Sequence, residues 1–401
     1  MKRVLLAYSG GLDTSFLVAW LVRHEGHDVT AVTVDCGGLS AEEQAEIGER
    51  ARALGASDFR VIDGRADLFE GVLRWLVAGN VKRGQVYPLS VGAERGLQAQ
   101  RVAQLAAEEG FDALAHGCTA AGNDQVRFEA ALAVVAPRLE VLAPVRDLGL
   151  ARQEQIAWLE EQGLPVPPAG GRYSINAGLW GLTIGGGEML DSVLPLPEDA
   201  WVWTKGGGGE GHLSVTFEGG RPVALDGVAL DPVTLIETLN HRAGRLGVGR
   251  GYHLGDTVLG IKGRIAFEAP AAELLIAAHR ELEKLVLTED QRFWKDHLGE
   301  VYGRRLHQGL FHDPFMRDVE AFLGSSQHAV EGVVHLSLVA GRAVVTGVES
   351  SHSMLAASDA AYGERAAAGS DPRAAAFLGR ILAEPARLAR VAGERAAGVS
   401  S

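Results

Sequence analysis

The sequence has 401 residues, 47% of them hydrophobic, and its length predicts two domains and a tail instead of one ordinary core. No apolar run approaches the roughly 18 to 20 residues that cross a bilayer, and Met1-Lys2-Arg3 leads into a short strand, so we expect a cytoplasmic protein with no membrane partner. The formal net charge of -13 disfavours nucleic acid as a partner, because such binding relies on Lys and Arg contacts to phosphates.

The first unusual stretch is a pair of glycines between a predicted strand and a predicted helix. It reads Ala-Tyr-Ser-Gly-Gly-Leu-Asp-Thr-Ser over residues 7–15, and a helical pattern begins at Phe16. Glycines let successive N–H groups point at an anion, and hydroxyl groups add donors at the positive end of the helix. We therefore predict a phosphate-binding loop, although it lacks the lysine of a Walker A motif. The simpler alternative is a glycine turn in which Asp13 or Thr14 caps the helix.

The following segments alternate between strand and helix patterns. Residues 28–35 and 59–62 predict strands, and a capping box at Ser40 and Glu43 predicts a helix reaching about Leu54. Such alternation predicts parallel strands that place ligands at their carboxyl ends. The glycine loop and the end of the second strand therefore lie at one edge of the sheet.

The second unusual stretch follows a short buried strand at residues 113–116. It reads His-Gly-Cys-Thr-Ala-Ala-Gly-Asn-Asp-Gln-Val-Arg-Phe over residues 116–128. Asn123, Asp124 and Arg127 share one face of the helix that begins there. A guanidinium pairs with a carboxylate and a carboxylate with an ammonium, so the cluster suits a zwitterionic amino acid. The alternative is a capped helix with a local Asp–Arg pair.

Together, the two stretches resemble the argininosuccinate synthase family, whose first loop is that of the ATP pyrophosphatases (PP-loop). Segments 143–146, 163–167, 173–175, 247–250 and 267–271 follow in the family's order, so the resemblance covers nearly the whole chain. It implies an α/β fold in three parts. These are an N-terminal parallel-sheet nucleotide-binding domain of the adenine nucleotide α-hydrolase type (residues 1–168), an α+β synthetase and multimerisation domain (residues 169–368), and a C-terminal helical oligomerisation tail (residues 369–401).

The resemblance also implies a ligase of arginine biosynthesis that joins citrulline to aspartate through citrullyl-AMP, giving argininosuccinate, AMP and pyrophosphate. ATP is then a substrate accompanied by Mg²⁺, and the assembly is a homotetramer. The implied ATP-binding residues are Ala7, Tyr8, Ser9, Gly10, Gly11, Leu12, Asp13, Thr14, Ser15, Val34 and Gly117. The implied aspartate-binding residues are Thr119, Asn123 and Asp124, and the citrulline-binding residues are Tyr87, Asn123, Arg127, Ser174 and Thr183. We assign no nucleophile, no base and no protein-ligated metal, and we expect His307 and His312 to be structural.

Four matched positions near the citrulline site depart from the family pattern. A Thr-Ser pair becomes Val91-Gly92, a serine becomes Thr183, a glutamate becomes Gly255 and a tyrosine becomes Phe267. Loss of the glutamate removes a partner for the α-ammonium of citrulline. Two hypotheses follow: compensation by Asp256, Tyr252 or Glu94, or an acceptor whose α-nitrogen is acylated.

Three other classes of protein would share part of this sequence pattern. A PP-loop tRNA thiolation enzyme needs a reactive cysteine near the nucleotide, and Cys118 lies within the second stretch. A nucleotide sensor would keep the loop but has no need of the cluster at Asn123, Asp124 and Arg127. The GMP and NAD synthetases match the loop but not the second stretch.

Overall fold

The computed structural model describes residues 1–120, 122–168, 171–339 and 341–396. Ala121 of the second stretch, residues 169–170 at the predicted domain boundary and residues 397–401 of the predicted tail lie outside this description. The strands are β1 Arg3–Ala7, β2 Asp28–Asp35, β3 Asp58–Asp63, β4 Ala113–His116, β5 Glu140–Leu142, β6 Tyr173–Gly178, β7 Gly181–Gly186, β8 Glu210–Glu218, β9 Arg221–Leu225, β10 Val228–Ala229, β11 Arg250–Asp256, β12 Lys262–Glu268, β13 Gly332–Val339 and β14 Arg342–Glu349.

The helices alternate with the strands in the first part of the chain and are longer in the second. They are α1 Leu12–Ala19, α2 Ala41–Ala53, α3 Arg65–Leu68, α4 Arg74–Ala78, α5 Glu94–Glu108, α6 Asp124–Val135, α7 Pro144–Asp147, α8 Arg152–Glu161, α9 Pro232–Gly244, α10 Pro270–Val286, α11 Glu289–His307, α12 Pro314–Ser326 and α13 Pro372–Ala396. Two π-helical turns, Trp20–His24 and Phe69–Leu73, extend α1 and join α3 to α4.

A five-stranded parallel sheet in the order β3-β2-β1-β4-β5 forms the first part of the fold. Val4, Leu5 and Leu6 of its central strand are fully buried. Leu5 joins one apolar cluster and its two neighbours join another, because successive side chains of a strand point to opposite faces of the sheet. The predicted α/β class with an N-terminal parallel sheet is confirmed, and the carboxyl ends of β1, β2 and β4 lie side by side.

Two antiparallel sheets follow, in the orders β10-β9-β8-β13-β14 and β11-β12-β7-β6. The second of these sheets contacts the parallel sheet at the edge where the strands end. Leu179, between β6 and β7, donates its N–H to the carbonyl of Cys36 at 2.7 Å, and the indole of Trp180 donates to the carbonyl of Pro88 at 3.0 Å. These bonds hold the β6–β7 hairpin over the end of β2 and the loop before α5.

A buried charged network joins the end of α4 to α10 and α11. The side chains of Lys295 and Glu283 are 0% and 1% exposed, and their Nζ and Oε2 atoms lie 2.9 Å apart. The Nζ of Lys295 also donates to the carbonyl of Ala78 at 2.8 Å. Asn80 donates to the same Glu283 oxygen at 2.8 Å, so both charges are paired and hydrogen-bonded.

Residues 1–352 form one compact unit, and the chain from Ser353 onward forms a second. In the second unit, α13 carries apolar side chains that are mostly exposed, among them Phe377, Ile381 and Leu382. Within the described ranges, no helix combines the length and apolarity that crossing a membrane requires. The boundaries expected after residues 168 and 368 stay predictions.

Candidate active site

The glycine loop lies between the end of β1 and the start of α1. Gly10 has a φ of +74°, a left-handed conformation that favours glycine, and Gly11 precedes the first helical residue. Among the described residues, no side chain caps this helix, so neither Asp13 nor Thr14 plays the capping role of the simpler alternative. The uncapped start leaves helix N–H groups available to an anion.

Hydroxyl groups line the same loop and bond to one another. The oxygens of Ser9 and Thr14 lie 3.2 Å apart, and those of Tyr8 and Ser15 lie 3.1 Å apart. The carbonyl of Gly10 accepts from the guanidinium of Arg50 at 2.6 Å, which fixes the turn. The loop is therefore held in place by its own side chains and by α2.

Val34 and Gly117 lie at the ends of the two strands that flank β1. β1 pairs with β2 on one side and with β4, which ends directly before Gly117, on the other. A Cβ atom on Gly117 would lie 2.7 Å from Cγ2 and 3.1 Å from the backbone nitrogen of Thr14. Only a glycine permits this close approach between the second stretch and the glycine loop, so the structure brings the predicted ATP-binding residues together.

The predicted aspartate-binding cluster lies at the start of α6. Asp124 accepts from Arg95 at 3.1 Å and from Arg127 at 2.9 Å. Burial alone would raise the pKa of Asp124, but the two guanidinium groups hold it below its usual range. The side-chain oxygen of Asn123 accepts from the N–H of Val258 at 2.8 Å, which ties the cluster to the loop after β11.

A cavity of about 230 Å³ opens beside this cluster. Its wall includes five predicted site residues: Tyr87, Asn123, Asp124, Arg127 and Thr183. Thr119 and Ser174 lie outside the wall and are exposed. The cavity joins the end of the parallel sheet to β7 and to the β11–β12 hairpin, and it contains the charges and amides that a small amino acid requires.

Two family models match the chain. The arginosuccinate synthase N-terminal HUP domain matches residues 3–165, and the arginosuccinate synthase C-terminal domain matches residues 173–379. The chain belongs to the argininosuccinate synthase family.

Curated relatives agree with the family models. The argininosuccinate synthase of Methanocaldococcus jannaschii is 40% identical over 359 residues, 88% of this chain and 90% of the relative. That of Halobacterium salinarum is 40% identical over 392 residues, 97% of this chain and 98% of the relative. That of Dictyoglomus turgidum is 39% identical over 363 residues, 90% and 91% of the two chains. These matches confirm the predicted resemblance and the predicted enzyme class, a ligase that forms a C–N bond.

The departures from the argininosuccinate synthase pattern lie in or behind the cavity wall. Val91, Gly92, Thr183 and Gly255 line the wall, whereas Phe267 is buried behind it with its ring centroid 5.2 Å from that of Tyr87. The departures inferred from the resemblance therefore cluster at one end of the cavity, which we call the acceptor end because the resemblance places citrulline there.

The three side chains expected to replace the lost glutamate are poorly placed to bind an ammonium in the cavity. Asp256 reaches the wall, but its carboxylate pairs with Lys262 at 2.6 Å. Tyr252 and Glu94 lie outside the wall; the Tyr252 oxygen accepts from the N–H of Leu196 at 2.9 Å, and Glu94 is buried. Burial also raises the pKa of the Glu94 carboxyl well above its usual range, which favours its neutral form.

Sequence reasoning missed several residues of the wall. Asn176 pairs with Thr183 in the β6–β7 ladder and shares a face of β6 with Ser174. Because side chains alternate between the two faces of a strand, the prediction of Ser174 could have been extended to Asn176. Arg83 and His307 had no such signal, because they lie far apart in the chain. We expected His307 to be structural, but its ring also forms part of the cavity wall.

His307 lies between two arginines. Its Nε2 is 2.6 Å from Nη1 of Arg83, and its Nδ1 is 2.9 Å from Nη2 of Arg127. Burial and then the two neighbouring cations lower the pKa of His307 to about 3, so the ring is neutral near pH 7.

Cys118 does not have the properties of a reactive thiol. Burial raises its pKa to about 12, and burial likewise raises the pKa of Cys36 well above the usual range. A sulfur-transfer reaction requires a thiolate near neutral pH, so this environment disfavours the tRNA thiolation alternative. The comparisons give no support to that alternative or to an acylated acceptor.

Proposed function

We propose that this chain condenses citrulline with aspartate and splits ATP to AMP and pyrophosphate, giving argininosuccinate. The observation that carries the proposal is the juxtaposition at Gly117 of the uncapped glycine loop with the stretch that begins the amino-acid cluster. An anion-binding loop beside a zwitterion-binding cavity suits a reaction that joins a nucleotide to an amino acid. Membership in the argininosuccinate synthase family supports the same assignment.

In the first step, the ureido oxygen of citrulline attacks the α-phosphorus of ATP, and the bond to pyrophosphate breaks. A ureido oxygen is a weak nucleophile, so alignment and stabilisation of the leaving group contribute most of the catalysis. The N–H groups and hydroxyls of residues 9–15 bind the departing pyrophosphate. Ala7, Tyr8, Val34 and Gly117 complete the nucleotide site.

In the second step, the aspartate amine attacks the ureido carbon of citrullyl-AMP, and AMP leaves. Thr119, Asn123 and Asp124 hold the aspartate, with the Asp124 carboxylate close to the ammonium of the incoming amino acid. Tyr87, Asn123, Arg127, Ser174 and Thr183 hold the citrulline. Thr119 and Ser174 are exposed and lie outside the wall of the cavity.

We propose further that Mg²⁺ enters with ATP and is held mainly by phosphate and water oxygens. Within the described ranges, no group of three or more His, Cys, Asp or Glu side chains is arranged to hold a metal ion. The proposed assembly is a cytoplasmic homotetramer in which the apolar side chains of α13 contact neighbouring subunits. Light scattering after gel filtration tests the oligomeric state, and deletion of residues 369–401 tests the tail.

The activity is tested by measuring AMP and pyrophosphate release from Mg-ATP and aspartate with citrulline, with N-acetylcitrulline, with N-succinylcitrulline and without an acceptor. We expect pyrophosphate release with citrulline in one-to-one yield with argininosuccinate. Release triggered by tRNA, with none from citrulline, would contradict the proposal and favour thiolation.

A further inference from the structure

Positive charge is in excess in the wall of the 230 Å³ cavity. Four arginines line it, namely Arg83, Arg95, Arg127 and Arg264, together with two aspartates, Asp124 and Asp256. Both carboxylates already have partners: Asp124 binds two of the arginines, and Asp256 binds Lys262. The wall therefore carries four guanidinium groups against two carboxylates, both of which are already ion-paired.

Arg83, like Arg264, has no ion-paired carboxylate among the described residues, and it is the one of the two that contacts His307. Its Nη1 contacts His307, and its Nη2 donates to the backbone carbonyl of Asp256 at 2.5 Å. Among the described residues, no carboxylate lies within ion-pair distance of it. Burial and the charge of Arg127 lower the pKa of Arg83, which indicates a guanidinium whose charge a bound anion would stabilise.

The two arginine contacts of His307 cannot both be hydrogen bonds in which an arginine donates to the ring. A neutral imidazole has one N–H and one acceptor nitrogen, whereas a guanidinium can only donate. His307 faces a guanidinium on each ring nitrogen, at 2.6 and 2.9 Å, so an N–H must face one of the two arginines. A carboxylate that accepts from that arginine would relieve the mismatch, because carboxylates only accept.

On the other side of the acceptor end, the described residues present no unpaired carboxylate to an ammonium. A side chain at Gly255 would begin where the ring of His253 lies. That ring stacks on Tyr87 with centroids 5.4 Å apart, and burial followed by the charge of Arg83 lowers the pKa of His253, so the ring is neutral. The Nε2 of His253 is buried without a hydrogen-bond partner among the described residues.

We infer that Arg83, positioned by His307, is a second guanidinium for the carboxylate of the acceptor, and that the enzyme recognises citrulline by this carboxylate and not by its α-ammonium. The inference rests on the proposed function, because it takes citrulline as the acceptor. Arg127 and Arg83 then hold the carboxylate from the two sides of the imidazole. His307 acts through the arginines and does not touch the reacting atoms.

The first test uses the wild-type enzyme and three acceptors in the pyrophosphate-release assay. Citrulline amide lacks the carboxylate, and ureidopentanoate keeps the carboxylate but lacks the α-nitrogen. We expect kcat/KM for the amide to fall by about 10- to 100-fold relative to citrulline, the effect of a lost charge-assisted hydrogen bond. We expect ureidopentanoate to stay within about tenfold of citrulline.

The second test compares variants that differ in where a positive charge is removed. Arg83→Gln removes the proposed contact, whereas Lys284→Gln removes a charge from an exposed side chain of α10 outside the cavity wall. We expect Arg83→Gln to raise the KM for citrulline about 10- to 100-fold with little change in the KM for ATP. It should also reduce the preference for citrulline over its amide, and Arg127 accounts for the preference that remains. His307→Phe should raise the same KM, and His307→Gln, which keeps an acceptor, should partly restore it.

The outcomes separate this inference from the proposed function. Wild-type enzyme that releases no pyrophosphate with citrulline would refute the proposed function itself. Active wild-type enzyme that uses citrulline and its amide equally well, or that rejects ureidopentanoate, would overturn the inference alone. Should Arg83→Gln fail to fold, Arg83→Lys and the wild-type comparison of acceptors decide the question.

Discussion

Replacement of Gly117 by alanine should damage ATP use while leaving the protein folded. The new Cβ would lie 2.7 Å from Cγ2 of Thr14, whereas carbon atoms in contact prefer about 3.5 to 4.0 Å. Thr14 must therefore move away by roughly 1 Å. Its hydroxyl is hydrogen-bonded to Ser9 and to the carbonyl of Gly11, so these residues must move with it. The whole glycine loop moves with it.

The size of the effect follows from this displacement. Overpacking of a well-packed site costs about 1 to 3 kcal/mol, and a misplacement of about 1 Å near the reacting groups can lower a rate about 100-fold. We expect kcat/KM for ATP to fall between tenfold and 100-fold, roughly the range of these two effects. The assay is pyrophosphate release at varied ATP, with thermal unfolding of the same preparations.

Gly71→Ala is the matched control. Gly71 lies in the π-helical turn between α3 and α4, and a Cβ there meets nothing within 4 Å. This variant should keep wild-type kinetics and melt at the wild-type temperature or slightly above it, because alanine favours helix. A folded Gly117→Ala enzyme with wild-type kcat/KM for ATP would refute the placement of the loop against the second stretch.

Three further predictions follow from buried groups. Lys295→Met should lower the free energy of unfolding by about 3 to 5 kcal/mol, because Glu283 stays buried without its cation, and the double variant with Glu283→Leu should recover most of the loss in a denaturant titration. Cys118, whose pKa is about 12, should react with iodoacetamide at pH 8 only after unfolding, and rapid native labelling would contradict this environment. His307 takes up a proton in the unfolded chain below pH 6.5 but in the folded protein only near pH 3, so stability should fall as pH drops through this window. His307→Gln should reduce that slope by up to about 1.4 kcal/mol per pH unit, and an unchanged slope would exclude this contribution.

The parts of the fold that the sequence predicted well depend on local patterns. The capping box of Ser40 and Glu43 is formed, with the serine oxygen accepting from the N–H of Glu43 at 3.2 Å. The β-branched run at residues 28–35 and the short buried run at residues 113–116 form the neighbours of β1 in the parallel sheet. Each signal needs only a few consecutive residues, because hydrogen bonds and hydrophobic periodicity at this scale act along the chain.

The acceptor end of the site was predicted less completely because its contacts are long-range. The ring of His307 is 224 residues from Arg83 and 180 residues from Arg127 in the chain. No local pattern predicts that the last residue of α11 meets a loop near the end of α4. The same limit applies to Asp256, which looked free in the sequence but pairs with Lys262 across the β11–β12 hairpin.

The two ends of the site differ in how much freedom their residues have to change. The nucleotide end is built from strand ends and a helix start that approach within van der Waals distance, so substitutions at Gly10 or Gly117 displace the loop itself. The acceptor end is built from side chains on the β11–β12 hairpin and on the end of α11. A change in how the acceptor is bound is therefore compatible with unchanged ATP chemistry. This separation explains how the chain keeps the glycine loop of its family while the ring of His253 lies where a side chain at Gly255 would begin.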